Sequence, residues 1–176
     1  MKKLALKLLV LPLLTVFTLS SCKKNDDMQN SPAMKSKTFM YEFNTGQAGS
    51  GTAYKGNHAN SLSAQLRLEE LSSGKTKVTV TLMNTMDGKN YPVHSHDAAD
   101  AASTPNGTPY NEVPNADVLV GIVKGNGGTA MYSQESSMSF DDLTTKYAGY
   151  FVVHDPTQAM STKDLTTFLI VGSFAR

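Results

Sequence analysis

The sequence has no tryptophan, a single cysteine and no basic stripe. A lone cysteine excludes an intrachain disulfide. The lack of both tryptophan and a basic stripe argues against a nucleic-acid partner. Charge of one sign is also lacking: 16 Lys and Arg stand against 15 Asp and Glu, a formal +1. No apolar run reaches the roughly 20 residues that a membrane-crossing helix needs. The longest, Leu8 to Leu19, is about a dozen residues and is interrupted by Pro12, Thr15 and Thr18. Beyond it no segment carries a sustained apolar stripe at 3.6-residue spacing, so a helical core is not expected. The nine methionines are dispersed. Met83, Met86, Met131, Met138 and Met160 read as core filling or loop positions rather than a methionine-rich copper(I) cluster.

What the first 21 residues do have is a positive start (Lys2, Lys3, Lys7), the short apolar core and two small residues, Ser20 and Ser21. That is the order of a removable secretory signal. Leu19-Ser20-Ser21-Cys22 resembles the lipobox of bacterial lipoproteins, which implies acylation of Cys22 and export. Acyl chains gain roughly 0.8 kcal/mol per buried CH₂, so two or three hold a protein on a membrane. Residues 22–40 then read as a flexible tether, because Lys23 to Lys37 offers almost nothing to bury. Its start, Lys23-Lys24-Asn25-Asp26-Asp27, resembles the short charged signals that send some lipoproteins to the outer face of the outer membrane; a plain solvated spacer has the same composition. Loss of three lysines with the signal leaves 13 basic against 15 acidic residues, a formal −2. The remaining residues 41–176 are enough for one domain with one core.

Alternation dominates that domain. Leu62, Ala64, Leu66 and Leu68 alternate with Ser63, Gln65 and Arg67; Val78, Val80 and Leu82 alternate with Thr79 and Thr81. A period of two places each apolar set on one face of a half-buried strand. Ser72-Ser73-Gly74-Lys75 between them is a turn, so 62–82 is expected to be a hairpin. Val118, Val120 and Ile122 repeat the alternation. Met86-Asp87-Gly88-Lys89 is a second turn, and Gly125-Asn126-Gly127-Gly128 a third, expected to join two antiparallel strands. Tyr150 to Val153 and Phe168 to Phe174 read as late strands, and Ala98 to Pro114 as a long exposed loop. The expected fold is all-β, a Greek-key sandwich or barrel.

Four histidines remain to be placed. His94-Ser95-His96 puts two imidazoles on one face of a strand, because residues i and i+2 point the same way. Val152-Val153-His154-Asp155 ends an apolar strand in a histidine just before Pro156. If the sandwich brings those strands together, three neutral ring nitrogens converge, a donor set that suits copper or zinc better than magnesium or calcium. The pair is otherwise a solvent-facing strand edge, and His154 a surface residue. His58 lies in a polar stretch and reads as a loop residue or a fourth ligand. Asp97, Asp100 and Asp155 are candidates to orient an imidazole by accepting its second N–H.

These pieces, in this order, resemble the copper/zinc superoxide dismutase family over roughly residues 62–174. A first hairpin leads to an H-x-H segment (His94, His96), and a later strand ends in V-V-H (His154). Between them Glu112-Val113-Pro114-Asn115 resembles the family's acidic zinc ligand with its following Pro-Asn, and Val171-Gly172 resembles the final strand, with Val in place of Cys. The resemblance implies a dismutase-type Greek-key sandwich with His94, His96 and His154 at three copper-ligand positions. The departures are as informative. No histidine lies between His96 and Glu112, so the bridging ligand and the zinc site are lost, whatever Glu112 does. The disulfide cysteines are missing, and so is the arginine that guides superoxide: its position falls near Phe168, which is not basic, and Arg176 does not match.

Three functions follow as expectations: a copper-only, superoxide dismutase-like protein of the cell envelope; a non-catalytic copper-binding or buffering lipoprotein on the same sandwich; or a β-sandwich binding module without metal, of the chordin-type CHRD kind, which also carries H-x-H. The Val-Val-His strand favours the dismutase-like reading, with copper rather than zinc as cofactor, a small anion such as superoxide as a candidate substrate and the membrane as a partner through Cys22, protein partners staying open. The oligomeric state and the question of catalysis stay open at this point.

Overall fold

A computed structural model of the chain describes residues 33–43, 56–105, 107–161 and 164–176. The signal segment, Cys22 and most of the expected tether lie outside the described residues. Ala33–Arg176 forms one compact unit, whose described residues make nine antiparallel strands in two sheets packed face to face. Among the described residues no helix is long and apolar enough to cross a membrane.

The first sheet contains β1 (Ser36–Glu42), β2 (Ser63–Glu70), β3 (Thr76–Met83) and β7 (Ala130–Ser136), paired in the order β1-β2-β3-β7. β2 and β3 are the expected hairpin, in register from Ser63 opposite Met83 to Glu70 opposite Thr76. Its turn is closed by Leu71 N–H on the Lys75 carbonyl (2.9 Å), with Gly74 at φ 79°. The alternating Leu66, Leu68, Val78 and Val80 are fully buried. Each such side chain contributes roughly 1.5–3 kcal/mol by leaving water.

The second sheet runs β5 (Tyr110–Pro114), β4 (Asn90–Ala98), β8 (Gly149–His154), β9 (Phe168–Ser173). β6 (Val120–Lys124) joins the same edge of β4 that β5 uses: β6 takes Asn90 to His94 and β5 takes His96 to Ala98. The inner face of this sheet supplies Tyr91, Val93, Phe151, Val153 and Ile170 to the core shared with the first sheet. A smaller apolar cluster, Tyr110, Val152, Phe168 and Val171, covers its outer face.

Several expectations are corrected. Residues 36–40, expected in the tether, form most of β1 and pair with β2. An edge strand is held by main-chain bonds that are indifferent to side-chain polarity, and Tyr41 then anchors it by donating its hydroxyl to the Ser173 carbonyl (2.9 Å). The loop expected from Ala98 to Pro114 ends in β5, whose Tyr110 is buried. The Gly125–Gly128 turn joins strands of different sheets, since β6 pairs with β4 and β7 with β3. Gly125 is required there, because a Cβ would lie 2.2 Å from the Met86 carbonyl oxygen.

The face of β6 is also reversed. Val118 and Leu119 are buried in a turn closed on the Asn115 carbonyl, whereas Val120 and Ile122 point outward, Ile122 56% exposed. The inward positions are Gly121 and Val123, opposite Val93 and Tyr91. The ring of Tyr132 fills the space that a side chain at Gly121 would need. A glycine on the buried face hides the strand's true phase. One short helical turn, Asp142–Lys146, was also not expected; Ser139 accepts the Asp142 N–H (3.1 Å) and donates to its carboxylate (2.7 Å), and Leu143 is buried beneath.

Candidate metal centre

The outer face of the second sheet carries the histidines. On β4 the core-facing positions are Tyr91, Val93 and Ser95, which leaves His94 and His96 on the opposite face. On β8, Phe151 and Val153 face the core, so Tyr150, Val152 and His154 lie outward. The two strands are neighbours, with His94 opposite Val152 and His96 opposite Tyr150. His154 is therefore the diagonal neighbour of His94. Bulges interrupt the register at His96/Ala98 and at Val153/His154, beside the site in both cases. Such bulges re-aim side chains locally.

Outer-face residues are usually wet, but these three are 2–6% exposed. β5 covers one side, and the segment returning from β8 to β9 covers the other. The rings sit close, with centroids 5.3 Å apart for His94 and His154 and 5.7 Å for His94 and His96. One ring nitrogen of each lies within 4.8 Å of the others. Among the described residues, His94 Nδ1, His96 Nε2 and His154 Nδ1 are buried and have no hydrogen-bond partner. They face a cavity of about 60 Å³ walled by Thr108, Tyr110, Glu112, Pro114, Met160 and Phe168.

A main-chain group orients one ring. His96 Nδ1 lies 2.8 Å from the Asn111 carbonyl, so that nitrogen carries the proton and Nε2 presents a lone pair. The Thr167 main chain lies near His154 and favours its protonated form. Phe168 packs on the His154 ring at 4.6 Å between centroids, and Tyr110 on His96 at 5.1 Å. Burial, with His96 beside it, pushes His94 down to about 4. Burial, with His94 and His96 beside it, pushes His154 down to about 3 against the Thr167 main chain. Burial also lowers His96, opposed by the Asn111 carbonyl and Asp97. All three are neutral at neutral pH, the state in which imidazole is a ligand.

Of the other candidate ligands and ring-orienting residues, His58, Asp97, Asp100, Glu112 and Asp155, Glu112 alone lines this cavity. His58 does not complete the triad. Its Nδ1 lies 2.6 Å from the Asn60 carbonyl and its Nε2 2.7 Å from the Tyr91 hydroxyl, so both nitrogens are engaged elsewhere. Asp97 accepts from Asn115 Nδ2 (2.7 Å), and Asp100 caps the turn Ala101–Ser103 through the Ala102 N–H (2.9 Å). Asp155 accepts from Thr157 and Gln158 in its own turn. None of these three carboxylates orients a ring of the triad through a hydrogen bond. The Asn111 carbonyl does so for His96, and no sequence signal marks it because every residue has the same main-chain groups.

Three convergent, buried, neutral imidazoles with unused lone pairs define an all-β protein with a candidate transition-metal centre. The donor set fits a bound ion: His96 Nε2 is an acceptor, His94 Nδ1 and His154 Nδ1 are acceptors in the Nε2–H tautomer, and a cation would satisfy all three. Roughly 3.4 Å separates nitrogens around a tetrahedral ion with 2.0–2.1 Å bonds, so small ring rotations suffice. No family model matches the sequence, and comparison with curated proteins finds no match.

Proposed function

We propose that this chain is an exported lipoprotein, acylated at Cys22 on the bacterial cell envelope, most simply in the outer membrane, whose sandwich is of the Greek-key superoxide dismutase-like type and binds one copper ion through His94, His96 and His154. The observation that carries the proposal is that one ring nitrogen of each histidine lies within 4.8 Å of the others, and that each ring has a buried nitrogen without a hydrogen-bond partner. Copper is preferred over zinc because it binds nitrogen sites more tightly among first-row divalent ions, and because the H-x-H and V-V-H segments stand at the copper positions of the family they resemble. Bound copper supplies one-electron chemistry, with superoxide as the substrate to test.

The protein's own contribution is to keep the imidazoles neutral, to fix the His96 tautomer through Asn111 and to shield the site with Phe168 and Tyr110. A cavity of about 60 Å³ admits only very small molecules. A second reading, copper holding without catalysis, is favoured by the wall itself. Glu112 and Phe168 line it, and a carboxylate beside an apolar ring repels rather than draws in an anion.

Metal content separates these readings from a metal-free module. Purified protein should carry about one equivalent of copper, and His94→Ala/His96→Ala should lose it; a wild-type protein that takes up no copper overturns the proposal. A superoxide-disproportionation assay on the copper-loaded protein then decides between enzyme and holder.

A further inference from the structure

The three rings do not account for every unsatisfied atom facing the cavity. Glu112 lies on β5 between Tyr110 and Pro114, and this alternate set turns toward the cavity while Asn111 and Val113 are exposed. Glu112 Oε1 is buried and, among the described residues, has no hydrogen-bond partner. The residue preceding it fixes the position, since the Asn111 carbonyl bonds to His96 Nδ1 at 2.8 Å. A ligand ring and the Glu112 backbone are thereby tied one residue apart. Among the described residues no Lys or Arg lines the cavity. Glu112 is the acidic member of the wall among the described residues; its carboxylate lies outside the set of ring nitrogens that stand within 4.8 Å of one another, so a side-chain rotation must carry it to the rings.

Resting on the reading of the triad as a metal site, we propose that Glu112 is its fourth protein donor, making a three-histidine, one-carboxylate site of net charge −1 that selects a divalent ion over copper(I). A carboxylate is a hard donor and compensates a second positive charge, whereas copper(I) favours soft sulfur. The competing donor is Met160, the one sulfur in the wall. Its side chain is more than half exposed and lies outside any strand, while Glu112 is held on a strand paired to the strand of two ligands. This donor set differs from a four-histidine copper site and makes copper(II) or zinc(II) the resting occupant.

The test is a chelator-competition titration of the purified protein with copper(II) and, separately, copper(I), for the wild type, Glu112→Gln and Met160→Leu. Glu112→Gln should weaken copper(II) binding by about tenfold or more while leaving copper(I) within about threefold. The copper(II) electron paramagnetic resonance spectrum should change as an oxygen donor is lost. The melting temperature of the metal-free variant should stay level or rise, because the buried, partnerless Oε1 of a half-buried carboxylate becomes part of a neutral amide, which shows that folding is not the cause. Met160→Leu should leave both affinities in place. The inference is overturned if a copper-binding wild type and Glu112→Gln share the same copper(II) affinity and spectrum, or if Met160→Leu abolishes binding instead. A wild type that binds neither ion sinks the triad reading and this inference together, a result distinct from those.

Discussion

Lowering the pH of the metal-free protein from about 7.5 to about 5 should remove roughly 4 kcal/mol of its stability. In the unfolded chain a histidine takes up its proton near 6.5. Folded His94 holds out to about 4 and folded His154 to about 3. Above about 6.5 neither state is protonated, so these groups contribute nothing to the pH dependence there. Below it the unfolded chain binds protons that the folded one refuses, and stability falls with pH until the folded values are reached. Each group costs roughly 1.4 kcal/mol per pH unit in that window, about 2 kcal/mol by pH 5, and His96 acts in the same direction. The acids held below their ordinary 3.8 (Asp142, Asp155 and Asp164) act at lower pH and do not blur the effect. Against a typical total of about 5–15 kcal/mol, such a loss is large. The assay is a series of urea transitions in the presence of a chelator at several pH values, with His154→Leu as a non-titrating control that should flatten the slope. A wild-type midpoint that does not move between pH 7.5 and 5 refutes the placement of these rings in a dry site.

Other perturbations test the frame around the site. Gly56→Ala should lower stability by about 1–3 kcal/mol and loosen Phe168, because the new Cβ would lie 2.0 Å from the Phe168 carbonyl oxygen that Gly56 N–H now reaches at 3.1 Å; thermal melting reads the first effect and copper affinity the second. Tyr91→Phe should cost about 1–3 kcal/mol in urea unfolding without loss of metal, since the hydroxyl accepts the Met86 N–H (2.8 Å) and meets His58 Nε2 (2.7 Å) away from the triad. Cys22→Ser should move the protein from the membrane to the soluble fraction of fractionated cells; unchanged membrane association defeats the lipoprotein reading.

The hairpin from Leu62 to Leu82 was legible because each apolar residue answers to a single buried face, and period-two alternation is the direct record of that. The same rule misassigned β6, where the inward position is Gly121 and the space belongs to Tyr132, a residue of another sheet. β1 escaped notice because edge pairing leaves little trace in side-chain chemistry. At the centre, His94 and His96 could be placed on one face from spacing alone, whereas the exclusion of His58 and the role of the Asn111 carbonyl could not.

The amino-acid order alone puts His94 and His96 on one face, because i and i+2 on a strand point the same way. It also sets the all-β character, since alternation at period two cannot build a helical stripe. Only the tertiary structure decides that β8 lies beside β4 in the register that sets His154 diagonal to His94, and that β5 and the segment before β9 cover an outer face that would otherwise be wet. The physical reason is range. Side-chain alternation is a property of neighbouring residues, but the proximity of positions 94 and 154, and the dryness that keeps their rings neutral, depend on long-range pairing and packing that no local pattern encodes.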